Sequence, residues 1–321
     1  MSNPILAFSA TRRMRSFRTI MTITAYAGML LILAAYMLRG MFGGSVTIQS
    51  MQMGVRCYLV LTAAQFALLV LIGPAMTSGA IAGEKERQTL ELLLVTNTRS
   101  FRIATGKMLE SFALLALMIV SGLPAMCLTV LAGGVTFVQV LVSMLFLLAV
   151  AFGTVCVGVF ASACSRTSVR SGVMSYRIIA LIAVGTALPF IFGYPRAITD
   201  VVYDSQRYAA LTSREALGMI HPALYFNPGY GLVSLLQEQT ALLSSSSLER
   251  IPGFGTSLAT RAEYGEYGGW GRMLCTYLLM NRAGGLKIAL FSSAAIIEAG
   301  SLLIGIATLL IRPRRKKSNR G

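Results

Sequence analysis

The chain has 321 residues, of which 55% are hydrophobic and 12% charged, and its formal net charge is +16. Soluble domains carry about a quarter charged residues, so this composition excludes an ordinary soluble protein and indicates a chain that folds in a bilayer. The five cysteines form no CxxC pair, and a single histidine excludes an HExxH zinc site.

The chain begins with a basic, partly apolar segment and continues with six long apolar runs. Residues 1–18 contain four arginines among apolar side chains and predict an interfacial helix on the membrane surface. A transmembrane (TM) helix needs about 20 mostly apolar residues. We therefore predict an all-α membrane protein with a single transmembrane domain over 1–321. Its six TM helices are expected near 19–38, 57–82, 110–131, 136–163, 173–194 and 287–311.

The basic residues gather on one side of this predicted topology. If the N-terminus is cytoplasmic, the inner segments are 1–18, 83–109, 164–172 and the basic tail 312–321, with 17 basic and three acidic residues. The positive-inside rule favours this orientation, with both termini in the cytoplasm of a bacterial cell and the spans in its plasma membrane. We interpret the basic segments as topology signals and contacts with membrane lipid, not as a nucleic-acid site.

The longest connection, residues 195–286, is predicted to be an extracytoplasmic loop with short helices. It carries seven basic and seven acidic residues and is therefore neutral. Proline follows His221 and Asn227, and an apolar run follows the second break, which indicates short helices on or partly in the outer leaflet. Residues 244–271 are rich in Ser and Gly and are typical of a loop.

The segment between the second and third predicted spans carries the strongest functional signal. It reads GEKERQTLELLLVTNTRSFRIATGKML over residues 83–109. Glu84 and Glu86 suit the first turn of a helix, where acids complement the helix dipole. An apolar stripe follows at helical spacing, formed by Leu90, Leu93 and Leu94. The pattern predicts an amphipathic helix of about three turns, whose apolar face packs on the membrane, on the rest of the chain or on another protein.

This segment resembles the ABC-2 type permeases, the membrane subunits of ATP-binding-cassette exporters. The family pattern is approximately E-[KR]-E-x-x-T-L-E-x-L-L-x-T-P-x-S-x-x-x-I-x-x-G-K. The chain departs from it at Asn97, where proline is usual, and at Arg102, where an acid is frequent. The start Asn3-Pro4-Ile5-Leu6 and the pair Asn227-Pro228 are also similar to the family. The matching residues are Glu84, Lys85, Glu86, Thr89, Leu90, Glu91, Leu93, Leu94, Thr96, Ile103, Gly106 and Lys107.

The resemblance implies a permease that exports an unidentified substrate with energy from a separate ATPase subunit. Residues 83–106 would be the cytoplasmic coupling segment, with its helix seated in a groove of the ATPase. Glu84, Glu86 and Arg87 would be polar contacts with the ATPase, and the three leucines of the stripe would anchor the helix. The resemblance also implies two ATPase copies and either a second permease copy or a related permease.

The chain itself is expected to bind no cofactor, with ATP and Mg²⁺ bound by the partner. Gly106-Lys107 lacks the glycine and the hydroxyl residue of a phosphate-binding loop, since Phe101 and Met108 occupy those positions. No catalytic constellation is visible in the sequence, so we do not expect an enzyme. The alternative to a permease is a non-transporting membrane scaffold or assembly factor.

One acidic residue, Glu298, is predicted to lie deep in the last span. A carboxylate in lipid is costly and marks a candidate intramembrane polar site. Glu298 is expected to face a translocation path or to pair with Arg177 of the fifth span. In the other interpretation, Glu298 is protonated and hydrogen-bonded to a neighbouring helix, while Arg177 extends its side chain to the interface.

Overall fold

The structure, a computed structural model, describes residues 17–39, 48–88, 100–192, 210, 212–220, 222–241 and 284–311. Within these ranges every regular element is helical and no strand occurs. Six of the helical stretches are long and apolar enough to cross a membrane, which confirms the predicted fold class. The chain is therefore a multi-pass helical membrane protein. Most of the predicted interfacial helix and the whole basic tail lie outside the described residues.

The helices are numbered here in chain order. Helices α4 and α5 follow each other within one span, and α3, α8 and a 3-10 helix are short. The bounds are α1 Phe17–Leu38, α2 Ile48–Thr77, α3 Ala82–Glu86, α4 Ser100–Ser121, α5 Leu123–Ala132, α6 Phe137–Cys164, α7 Ser168–Phe192, α8 Ser213–Met219, the 3-10 helix Pro222–Phe226, α9 Pro228–Ala241 and α10 Gly285–Ile311.

Two spanning helices begin about ten residues before the predicted spans. Helix α2 starts at Ile48 and α4 at Ser100. The predicted spans begin at or after the last charged residue, but a helix can include a charged residue that is exposed or ion-paired. Arg56 is exposed on α2, and Lys107 of α4 lies 3.8 Å from Glu110 in an i, i+3 ion pair. The predicted coupling segment 83–106 therefore includes the first turns of α4. The other spanning helices match the predicted bounds to within about five residues.

Helix α6 is the central helix of the bundle. In its most hydrophobic stretch 67% of the residues are buried, compared with 17% in α1 and 11% in α7. It packs against α2, α4, α7 and α10. Helices α1 and α7 are therefore peripheral, and α6 is the helix that contacts most of the other spans.

Glycines let α6 approach its neighbours closely. A Cβ added at Gly158 would lie 1.7 Å from Thr77 Oγ1, and one added at Gly153 would lie 2.4 Å from Ile296 Cγ2. Such close crossings are typical of helix packing in membranes, where association depends on contact between small residues. Gly158 thus holds the last turn of α2 directly against α6.

The 3-10 helix and α9 enter the bundle instead of lying above it. Asn227 Nδ2 donates a hydrogen bond to the carbonyl of Ala183 at 3.4 Å, and Ala183 lies about 14 Å from the end of α7 at 1.5 Å per residue. At Gly231, the backbone of α9 lies against Ser292 of α10 and Phe146 of α6. The apolar run in α9 is therefore buried among spans.

A polar network holds the C-terminal part of α9 to α2 and α6. The hydroxyl of Tyr58, which is 1% exposed, donates to Gln239 Oε1 at 2.6 Å and also contacts Ser143 Oγ. Gln139 Nε2 donates to the carbonyl of Gln239 at 3.0 Å, and Gln239 Nε2 donates back to the carbonyl of Gln139 at 3.2 Å. These bonds pair buried polar groups that would be costly to leave alone.

A capping box starts the short helix α8. Thr212 Oγ1 and the backbone N–H of Thr212 both donate to Glu215 Oε2, at 2.8 and 3.0 Å. These two bonds favour the charged carboxylate and hold the pKa of Glu215 below its ordinary value. The start of α8 is thereby defined by local hydrogen bonds.

A candidate coupling junction at one end of the bundle

The predicted coupling segment begins at the end of the bundle where α2 and α6 finish and α4 and α7 start. Its described parts are residues 83–88, which include most of helix α3, and residues 100–106 at the start of α4. Helix α3 ends at Glu86. Gln88 has φ 58°, a left-handed conformation that a right-handed helix cannot continue through. The three-turn helix predicted from residue 83 is therefore interrupted at Gln88. The predicted anchors Leu90, Leu93 and Leu94 lie outside the described residues.

Ser162 of α6 holds the turn that leads into α3. Its hydroxyl oxygen accepts hydrogen bonds from the backbone N–H groups of Ile81 at 2.9 Å and Ala82 at 2.8 Å. The same hydroxyl donates to the carbonyl of Ser78 at 3.0 Å. Since the first N–H groups of a helix have no intrahelical partner, Ser162 supplies the acceptor that α3 lacks. The start of α3 is thus fixed to α6.

Lys85 binds the C-terminal end of α6. Its ammonium group donates to the carbonyl of Ala163 and, at 3.3 Å, to the carbonyl of Ser165. The last carbonyls of a helix lack intrahelical donors, and the helix dipole places partial negative charge there. A cation at this position therefore satisfies both the hydrogen-bonding and the electrostatic needs of the end of α6.

Glu86 binds the N-terminal end of α7. Its carboxylate accepts hydrogen bonds from Ser168 Oγ at 2.8 Å and from the Ser168 backbone N–H at 3.3 Å. The start of a helix carries partial positive charge and unpaired N–H groups, which favour an anion. Neighbouring residues of opposite charge thus bind the two helix ends that meet at the α6–α7 turn.

Glu84 binds α4. Its carboxylate lies 2.8 Å from the ammonium group of Lys107, which also lies 3.8 Å from Glu110. The side chain of Glu110 is only 6% exposed, that of Glu84 is 19% exposed and that of Lys107 is 26% exposed. The cluster therefore sits partly within the protein, where screening by water and salt is weaker than at the surface.

Together these contacts form what we call the coupling junction: helix α3 with the side chains that bind it, Ser162, Ser168 and Lys107. Within α3, Glu84 contacts α4, Lys85 contacts α6 and Glu86 contacts α7. Because α3 also follows α2 directly in the chain, the junction joins four spans. A displacement of α3 would therefore change the environment of four spans at once.

The junction changes the interpretation of the charged residues predicted to contact a partner. The carboxylates of Glu84 and Glu86 are engaged within the chain, whereas Arg87 is exposed just beyond α3. The sequence analysis identified Lys85 and Lys107 only as parts of a motif and did not identify Ser162, Ser168 or Glu110. The alternation of acid, base and acid at 84–86 is a sequence feature from which binding to helix ends could have been predicted. No sequence feature indicated the contacts of the serines.

The structure does not bring the second pair of predicted site residues together. Glu298 on α10 and Arg177 on α7 are both exposed, and no ion pair joins them among the described residues. The structure therefore places these two charges on the outer faces of their helices.

No protein-family model matches the chain, and a search of the curated proteins finds no match either. The fold defines the class of protein, which is a multi-pass helical membrane protein with six candidate spans.

Proposed function

We propose that this protein is the membrane-spanning permease subunit of an ABC-2 type exporter. Two features support the proposal: the resemblance of residues 83–109 to the family's coupling segment, and the junction in the same segment. The observation that carries it is that three consecutive charged residues of one short helix bind three different spans. Such an arrangement suits a site where an external subunit drives the spans.

The proposed mechanism is mechanical. A partner ATPase would contact the exposed residue Arg87 and, as the resemblance implies, the leucine stripe of the predicted coupling segment. Closure of the ATPase on ATP would displace α3, and the bonds of Lys85 and Glu86 would carry that displacement to the α6–α7 turn. Because α6 packs against most of the other spans, the displacement would reach the whole bundle. ATP and Mg²⁺ would bind only to the ATPase.

The proposal includes an assembly and an orientation. Two ATPase subunits would act on two permeases, either two copies of this chain or this chain with a related one. The junction end would face the cytoplasm, as the distribution of basic residues favours. The membrane would be the bacterial plasma membrane.

The outward-facing charges at Arg177 and Glu298 support a second permease copy. An unpaired charge in lipid is costly, and such residues are usually covered by protein or line a water-filled cavity. We expect Glu298→Gln to reduce the fraction of cross-linked permease dimer in native membranes or to impair transport. Unchanged assembly together with unchanged transport would remove Glu298 from the mechanism.

The alternative function is a membrane scaffold or assembly factor that uses the same helices without a transport path. Both functions allow a bound partner, but only the permease requires an ATPase with a phosphate-binding loop and an ABC signature motif. An adjacent reading frame with both motifs would favour the permease.

Co-purification from native membranes tests the proposal. We expect full-length protein to retain such an ATPase, and the double variant Glu84→Arg/Leu93→Asp to lose it. Arg214→Glu, an exposed charge reversal on α8 in the predicted extracytoplasmic loop, is the control that should retain it. If no ATPase co-purifies with any of these proteins and the double variant keeps its cellular function, the permease proposal is wrong.

A further inference from the structure

We infer that the chain has an intramembrane binding site for an uncharged hydrogen-bonding group, an amide or a hydroxyl, formed by Gln65, Tyr26 and the helix break at Gly122. This inference rests on the proposed permease function, because it assigns a chemical class to part of the substrate. The site combines two buried polar side chains that lack partners with an interruption of the third span.

Gln65 on α2 is the clearest unsatisfied group in the described part of the chain. Its side chain is 1% exposed, and neither its amide nitrogen nor its amide oxygen has a hydrogen-bond partner. Burying an amide without a hydrogen bond is unfavourable. A residue that carries such a cost points to a partner that binds there.

The amide of Gln65 lies against the start of a helix inside the membrane. Helix α5 begins after Gly122, which provides no side-chain cap, and Pro124 in its first turn has no N–H group. A Cβ added at Gly122 would lie 2.0 Å from Gln65 Nε2. The Gln65 amide can therefore lie beside the break only because Gly122 has no side chain.

Tyr26 on α1 provides a second polar group in the same interface. Its side chain is 5% exposed and its hydroxyl has no hydrogen-bond partner. Tyr26 lines a small apolar cavity together with side chains of α2 and α4, including Leu69 and Ile119. One turn further along α1, Leu30 would touch a Cβ at Gly122 at 3.1 Å. The cavity, the break and both polar groups thus share the α1–α2–α4 interface.

The break lies near the middle of the membrane. Gly54 of α2 and Gly133, just after α5, lie in contact at the end of the bundle opposite the junction. Gln65 and Gly122 are each eleven residues from that contact along their own helices, or about 16 Å at 1.5 Å per residue. The hydrocarbon core is about 30 Å thick. With the Gly54–Gly133 contact at its edge, both residues lie close to its midplane.

Interrupted helices at this depth form the substrate sites of many transporters, where freed backbone groups and helix ends bind polar parts of the ligand. Here none of the contributing side chains is charged, so a charged ligand group would find no counter-charge. Amide and phenol groups each donate and accept hydrogen bonds. An uncharged group that also does both, such as an amide or a hydroxyl, complements them.

Binding of four six-carbon probes to the purified full-length chain in lipid nanodiscs tests the inference. The probes are hexanamide, 1-hexanol, hexanoate and hexylammonium, which share a chain and differ in the polar group. We expect hexanamide and hexanol to raise the Tm in a saturable way and the two ions to leave it unchanged. Gln65→Leu and Tyr26→Phe should each weaken hexanamide binding about tenfold, the effect of one lost hydrogen bond.

Two glycine variants provide a matched comparison. Gly122→Ala places a methyl group against the Gln65 amide and should weaken hexanamide binding, whereas Gly28→Ala on α1 meets nothing within 4 Å and should not. If Gln65→Leu fails to fold, Tyr26→Phe and Gly122→Ala still decide the question.

The inference is overturned if the neutral probes do not bind, if the ions bind equally well, or if both side-chain variants bind hexanamide like the wild type. It is also overturned if Gln65→Leu raises the Tm without affecting probe binding, because Gln65 would then be an unsatisfied group with no ligand. No ATPase takes part in this assay. Failure of the binding site is therefore distinguishable from failure of the permease proposal, which depends on co-purification.

Discussion

At the scale of single residues, the junction depends on matching side-chain charge to helix ends. Lys85 meets the carbonyls that end α6, and Glu86 meets the N–H groups that begin α7. Their order in the chain matters, because exchanging the two charges would place an anion at a helix C-terminus and a cation at a helix N-terminus. Lys85 binds two carbonyls at the end of α6, and Glu86 accepts two hydrogen bonds from Ser168 at the start of α7.

Replacing Lys85 tests this claim directly. We expect Lys85→Met to lower the free energy of unfolding by about 1–2 kcal/mol, because two carbonyls lose a charged donor while the apolar stem is kept. Thermal or denaturant unfolding in detergent measures the change. Arg87→Met is the control, since Arg87 is exposed and its loss should change stability by less than about 0.5 kcal/mol. Equal effects of the two variants would contradict the assignment of Lys85 to the end of α6.

At the scale of helices, the approach of α2 to α6 positions the junction. Thr77 ends α2 and packs against Gly158 with no space for a methyl group. We expect Gly158→Ala to destabilise the protein by about 1–3 kcal/mol. The added Cβ would lie 2.6 Å from Thr77 Cβ in any rotamer of Thr77, so α2 and α6 must separate. Gly185→Ala on α7 is the control, since nothing lies within 4 Å of its added Cβ.

A compensating variant sharpens this test. Thr77→Ala removes Oγ1, the atom nearest to a Cβ at Gly158, and Cγ2, while the Thr77 Cβ at 2.6 Å remains. The double variant Thr77→Ala/Gly158→Ala should therefore recover part of the stability lost by Gly158→Ala, but not all of it. Strictly additive losses would show that the two residues do not contact each other as described.

Helix α9 provides the second test at this scale. We expect Tyr58→Phe to lower stability by about 0.5–1.5 kcal/mol, because Gln239 Oε1 loses its shortest buried donor. The loss is limited because Ser143 Oγ still lies 3.3 Å from Gln239 Oε1. Faster hydrogen exchange across 228–241 should accompany the loss. Tyr36→Phe on α1 removes an exposed tyrosine hydroxyl and serves as the control. Unchanged exchange in Tyr58→Phe would show that the network does not hold α9.

Several of these elements could be predicted from the sequence, and others could not. The run that forms α6 is long, apolar and uncharged, so its bounds followed from composition alone. The start of α4 could not be predicted in this way. Charged residues such as Lys107 and Glu110 are typical of a loop, and only their ion pair explains why the helix includes them. The contacts of Ser162 and Ser168 were beyond sequence reasoning, since a serine in an apolar run gives no indication of which distant backbone it will bind.

At the scale of the whole molecule, the topology determines which side a partner can reach. The proposed orientation predicts that a membrane-impermeant maleimide labels Arg87→Cys only after the membrane is permeabilised, whereas Arg214→Cys is labelled in intact cells. Both variants should be made in a chain whose five native cysteines are replaced by serine. Labelling of Arg87→Cys in intact cells would reverse the orientation and exclude a cytoplasmic ATPase at the junction.

The central claim is that an ATPase acts on this bundle at the coupling junction. The most direct measurement replaces Arg87 with the photo-cross-linker p-benzoylphenylalanine and identifies the adduct formed in native membranes. The account predicts a covalent adduct with an ATP-binding-cassette subunit at position 87 and none when the cross-linker replaces the exposed Arg214 in the predicted extracytoplasmic loop. Absence of an ATPase adduct at position 87, or an equal yield at position 214, would contradict it.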